Sequence, residues 1–161
     1  MKHQFLCATH RQELGANPTQ ALRCWRNGYE AGQTFIDMGC HYDALPHLGC
    51  AFEVAEIILT KQMLETYDAI VLFTTSAATL AKCLTKRGYQ NQRESVIQLT
   101  IGRLSRELAL HPELTAIIRH QIHALEFFTQ EEDKPAMEAV AASPQLVSQS
   151  YFEQLEQRVL H

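Results

Sequence analysis

Residues 31–59 read AGQTFIDMGCHYDALPHLGCAFEVAEIIL, and the spacing of the small and apolar residues there decides the fold. From Ala44 onward, Ala44, Leu48, Ala51, Ala55 and Ile58 recur at steps of four, three, four and three. Leu45, Phe52 and Leu59 widen that stripe, while Asp43, Glu53 and Glu56 lie away from it. This is the period of a helix with one apolar face, and such a face has to be covered by another element. Pro46 fits if the helix begins near Asp43, because a proline in the first turn removes no bond to a carbonyl four residues back. Upstream, Leu22, Trp25, Tyr29, Gly32, Phe35 and Ile36 form the stripe of a preceding helix, and Ala31-Gly32 lets a neighbour approach closely.

Outside this stretch the punctuation is helical. Asn17-Pro18, His111-Pro112, Lys134-Pro135 and Ser143-Pro144 look like helix starts. Asn and Ser side chains cap orphan N–H groups, and proline lacks a donor where none is needed. Gly15, Gly39 and Gly88 each follow a helical pattern, as C-terminal caps do. Helices are expected at about 3–14, 18–38, 43–60, 64–87, 92–110, 112–129, 135–141 and 144–160. The break between 60 and 64 carries no strong signal. No β-branched stretch alternates with period two for long enough to form a strand, so the expected class is all-α, a single domain over 1–161.

Composition agrees with a folded chain: 46% of the 161 residues are hydrophobic and 20% charged, enough to bury a core. Five cysteines without framework spacing read as reduced thiols, and no signal peptide is visible in MKHQFLCATHRQEL, so a cytoplasmic location is expected. The longest nearly uncharged run, Ala69 to Ala81, is 13 residues, too short to span a bilayer. Charge is uneven. Residues 1–81 carry a net −3, residues 82–110 a net +4 and residues 111–161 a net −5. A basic middle between acidic flanks suits either an acidic partner or the protein's own acidic surface.

On these residues the chain resembles the tetratricopeptide repeat, whose pattern places a Leu-Gly pair, then an aromatic, then small residues on the second helix. Ala31-Gly32 stands at the Leu-Gly pair and Phe35 at the aromatic. Gly39 follows four positions on, and Ala44, Leu48 and Ala51 alternate small, large, small. Gly28 replaces the family's Trp and Glu56 its closing Pro. A second copy, Leu80-Ala81, Leu84, Gly88, Ile97 and Thr100, repeats the spacing at an offset of 49 residues, longer than the family's 34, with Arg93 replacing a small residue.

The resemblance covers about residues 25–110. It implies hairpins at 18–60 and 64–110, stacked as a short right-handed superhelix or bundle of seven or eight helices, capped by residues 112–160. It further implies a non-enzymatic module that binds a protein or peptide in a groove lined by the first helix of each pair, such as a small chaperone or regulatory adaptor. By register, the groove residues are Arg26, Tyr29, Gln33 and Asp37 on one hairpin and Thr75, Lys82, Thr85 and Lys86 on the next. Lys82 and Lys86, four apart, suit carboxylates of an acidic segment.

Other chemistries are weaker on the residues. Cys40, His41, His47 and Cys50 lack the paired Cys-x-x-Cys knuckle of a structural zinc site, and Cys7/His10 and His120/His123 are single i, i+3 pairs, so no metal is expected. Phosphate-loop, G-x-S-x-G and H-E-x-x-H motifs are absent, so no cofactor or catalytic residue is assigned. Residues 101–122, IGRLSRELALHPELTAIIRHQI, offer a helix-turn-helix alternative, with Ser105 and Ala109 small, Pro112 opening a second helix, and Arg103, Arg106, Arg119 and His120 for DNA. The turn lacks Gly and the whole chain is acidic, which disfavours nucleic acid.

Overall fold

A computed structural model describes residues 4–130 and 149–160. Among them are seven α-helices and no strand: α1 (Ala8–Ala16), α2 (Pro18–Asp37), α3 (His41–Thr60), α4 (Thr66–Lys86), α5 (Gln90–Leu110), α6 (Thr115–Gln130) and α7 (Gln149–Leu160). A single 3₁₀ turn, Pro112–Leu114, precedes α6. Helices from α2 to α6 pack in chain order, each against the next, as antiparallel hairpins joined by short turns. The helix expected at 135–141 lies outside the described residues.

Local signals set most boundaries. Asn17 Oδ1 accepts the Gln20 N–H at 3.0 Å and Pro18 follows, which starts α2. α2 and α4 end in the same motif. Gly39 (φ 74°) and Gly88 (φ 71°) take the left-handed conformation. The Cys40 N–H then returns to Phe35 O at 2.8 Å, and the Tyr89 N–H to Leu84 O at 3.0 Å. The unsignalled break after α3 uses this motif too, with Met63 N–H on Ile58 O at 3.0 Å and Gln62 in the left-handed position at φ 53°. A side chain there costs about 1–2 kcal/mol, which packing of the buried helices on either side offsets.

Three local expectations are corrected. α1 begins at Ala8 rather than residue 3, because the Phe5 and Leu6 N–H groups are drawn to Glu53 on α3, at 2.8 and 3.0 Å. Gly15 lies inside α1, and Asn17 closes it, its N–H on Leu14 O. α3 starts at His41, two residues before the expected Asp43, so Pro46 falls beyond the first turn and leaves the Tyr42 carbonyl without its helical donor. Tyr42 is 67% exposed, so water can serve that carbonyl.

The two hairpins meet over α4, the most buried helix. α4 has the length and composition to cross a membrane, since the 13-residue uncharged run belongs to a 21-residue helix, yet 78% of its most apolar window is buried inside the protein. Ile70, Leu72, Phe73, Ala77 and Leu80 are all at most 1% exposed, and Phe73 stacks on Phe52 of α3 with centroids 5.3 Å apart. α2 and α3 approach closely. A Cβ at Gly28 would stand 3.0 Å from His47 O and 3.5 Å from the Ala51 Cβ, and one at Gly32 only 2.4 Å from Leu48 Cδ2.

Glu53 and Glu56, expected off the buried stripe of α3, are 7% and 8% exposed. Glu53 accepts from Phe5 N, Leu6 N and Arg11 Nη1 (2.7 Å). Glu56 accepts from Arg11 Nη2 (3.5 Å) and twice from Arg103 of α5 (3.0 and 2.8 Å). Burial of two carboxylates is tolerated because each is fully partnered, and the pair staples the segment before α1 and helix α5 onto α3.

Four substitutions test this packing and its turns. Gly32→Leu drives a side chain into Leu48, itself 1% exposed, and is expected to cost about 1–3 kcal/mol by thermal melting. Gly102→Ala, where an added Cβ meets nothing within 4 Å, should instead stabilise by about 0.5–1 kcal/mol. Gln62→Gly removes a side chain from a left-handed position and should raise the melting temperature by about 2–4 °C, whereas Gly39→Ala should lower it.

Candidate functional site

α2 and α4, the first helices of the two hairpins, are linked by hydroxyls. Trp25 Nε1 donates to Ser76 Oγ at 2.7 Å, and Tyr29 OH lies 3.2 Å from Thr79 Oγ1. Ser76 and Thr79 spend their protons on carbonyls of α4 itself, Leu72 O and Thr75 O. Each hydroxyl oxygen is therefore left as an acceptor, and Tyr29 is the donor to Thr79. Gln33 Nε2 then donates to the Tyr29 oxygen at 3.1 Å, completing a chain from Gln33 to the Thr75 carbonyl. Both cross-links advance in the same sense, so α2 and α4 run parallel. Trp25 and Tyr29 also stack on each other at 5.1 Å.

The residues expected to line the groove separate into three groups on this frame. Tyr29 and Thr75 are buried, at 6% and 4% exposed, and act within the core. Gln33 is half-buried and holds Tyr29. Arg26 is half-buried, with Nε on Glu30 at 2.9 Å and Nη1 on Glu156 of α7 at 3.3 Å. Asp37, Lys82, Thr85 and Lys86 are exposed on the last turns of α2 and α4, which the parallel arrangement puts at one end of the stack.

At the other end lies what the sequence did not signal. α7, in the region expected to cap the stack, takes α2 as its principal backbone neighbour. Leu155 is 1% exposed, and Tyr151 and Val159, four residues to either side, pack against the core. Asp68 in the first turn of α4 is 4% exposed and accepts from the Tyr151 phenol and from Arg158 Nη1 at 3.0 Å. Burial, then the bond to Asp68 and its charge, push the Tyr151 phenol upward, so it keeps the proton it donates. Nothing in the sequence near Asp68 marks it as a docking point, because its partners are 83 and 90 residues away.

The His/Cys set does not gather. Cys40 Sγ contacts Met38 O at 3.8 Å, the His47 ring stacks on Phe35 at 5.3 Å, and Cys50 turns to Cys24 of α2. Among the described residues no three His, Cys, Asp or Glu side chains converge as a metal site would require. Of the helix-turn-helix cations, Arg103 is committed to Glu56, while Arg106, Arg119 and His120 are exposed.

Compared with known proteins, the chain matches no family model, no curated protein and no solved structure at a significant level. The hairpin architecture therefore rests on the helix packing alone.

One thiol is chemically distinct. A hydrogen bond from Cys50 holds the Cys24 thiol down at about 6 against the opposing effect of burial, with a smaller contribution from His10. Hydrogen bonding to Cys24, burial and the charges of Cys24 and Glu53 push Cys50 upward. Thiolate is the reactive form, so alkylation of Cys24 by iodoacetamide should rise between about pH 5 and 7 and level off above it. Peptide mapping at a series of pH values checks this, and Cys50→Ala should return the midpoint toward the ordinary thiol range near 8.5.

Proposed function

We propose that this chain is a non-enzymatic protein-interaction module with tetratricopeptide-like hairpins, a small chaperone or regulatory adaptor that takes a helical or extended protein segment along α2 and α4. The observation that carries the reading is that the α2/α4 face already holds an amphipathic helix, α7, by one apolar stripe and two ion pairs. A surface that seats one such helix has the shape and the polar anchors to seat another. The opposite end of the same two helices supplies exposed Lys82, Thr85 and Lys86, within the net-positive part of the chain, and these suit an acidic stretch of partner.

Affinity capture from a native lysate, with the wild-type chain and the Lys82→Ala, Lys86→Ala chain as parallel baits, tests the reading. Expected is a protein retained by the wild type and held about 1–3 kcal/mol more weakly by the variant, with melting temperatures close to each other because exposed lysines contribute little to folding. Retention should also fall as added salt shortens the screening length below about 10 Å. A partner held equally by both baits removes the lysines from the site. Retention of duplex DNA and no protein overturns the module reading.

A further inference from the structure

α7 is an amphipathic helix built for one face. Tyr151, Leu155 and Val159 fall at i, i+4 and i+8, and Leu155 is fully buried, whereas Glu153, Gln154, Gln157 and Arg158 are exposed. That stripe does not continue the stack on α6. It packs instead on the first helices of both hairpins, on α2, where Glu156 pairs with Arg26, and on α4, where Tyr151 and Arg158 meet Asp68.

Three features make this contact a displaceable one. Among the described side chains its apolar part is one fully buried residue, Leu155, with partly buried Tyr151 and Val159 on either side. A shallow cleft lined by Thr19, Leu22, Arg23, Glu156 and Val159 runs along the α2/α7 seam, so the two helices do not close on each other as α2 and α3 do. The charged groups that α7 itself contributes lie toward the rim. Arg158 is 62% exposed, and Arg26 keeps Glu30 when Glu156 leaves. On undocking, Asp68 gains water in the first turn of α4, where the helix dipole still favours its charge.

We propose that α7 is a cis-acting occupant of the α2/α4 face, and that the partner competing for that face is an amphipathic helix of the same chemistry. That helix carries an aromatic hydroxyl toward Asp68, aliphatic side chains four and eight residues on, a carboxylate toward Arg26 and a cation toward Asp68. The proposal rests on the interaction-module reading and gives that module its ligand class and its off state. Covalent connection makes α7 docking an intramolecular event, so a free helix competes only when it is in large excess or better matched to the face. The face is thereby closed to weak, chance helices and open to a specific one.

The test uses the full chain and a labelled synthetic peptide of sequence QSYFEQLEQRVL, residues 149–160. Leu155→Asp in the full chain places a charge where the side chain is 1% exposed and should release α7. Expected are amide exchange across 149–160 at least ten-fold faster than in the wild type, unchanged protection of α2 to α5, and peptide binding at least ten-fold tighter than by the wild type. Asp68→Asn in that released chain should weaken peptide binding several-fold. A variant-free arm is independent of how Leu155→Asp folds: millimolar peptide added to the wild-type chain should accelerate exchange within its own α7 and nowhere else. The proposal is overturned if the released chain binds peptide no better than the wild type. It is equally overturned if Leu155→Asp strips protection from α2 to α5, or if peptide leaves wild-type α7 unmoved. A concentration-dependent dimer that exchanges α7 between copies would assign the face to a second copy instead. None of these readouts needs a natural partner, so a failed lysate capture and a failed peptide experiment point to different errors.

Discussion

A 21-residue helix enclosed by its neighbours has to find partners for every polar side chain it carries, and α4 carries several. Thr74, Ser76, Thr79 and Thr85 each give their proton to the carbonyl four residues back, which satisfies the hydroxyl without leaving the helix. What remains on each oxygen is acceptor capacity, and at Ser76 and Thr79 it is taken by Trp25 and Tyr29. An aromatic residue with a polar tip is buried economically only where that tip is met. These two bonds thus fix both the distance and the sense of α2 relative to α4, and the first helices of the two hairpins come to lie side by side. The candidate docking face exists because of that alignment.

The second constraint is the meeting of α2 and α3. Gly28 and Gly32 remove side chains on the facing side, and Ala51 and Leu48 fill the space. The same turn motif closes α2, α3 and α4, which keeps each hairpin tight. With two hairpins held this rigidly, the ion pairs can be assigned different tasks by their surroundings. Glu53 and Glu56, nearly fully buried and multiply bonded, are permanent fasteners. Glu156 and Arg158 lie nearer the rim, where solvent competes, although Asp68, which receives Arg158, is itself 4% exposed.

Sequence by itself determined the helical class, the succession of antiparallel helices, the caps at Asn17, Gly39 and Gly88, and the close approach at Gly32. Each of these is local: a capping oxygen, a left-handed glycine or an apolar period acts within a few residues. Only the tertiary structure decided the rest. The turn at Gln62 forms although its own residue resists it, because the helices on either side are buried and their packing outweighs about 1–2 kcal/mol of strain. Glu53 and Glu56 look like solvent-facing carboxylates until Arg11 and Arg103, 42 and 47 residues distant in sequence, cover them. Tyr29 and Thr75 have the register of groove residues but are buried, Tyr29 with its hydroxyl on Thr79 and Thr75 on the enclosed part of α4. And α7 reads as one more helix at the end of a stack, while the point it docks on, Asp68, becomes visible only when the chain has folded back across the hairpins. Helical period and capping are written in neighbouring residues, whereas partnership between buried polar groups is written in pairs that the linear order keeps apart.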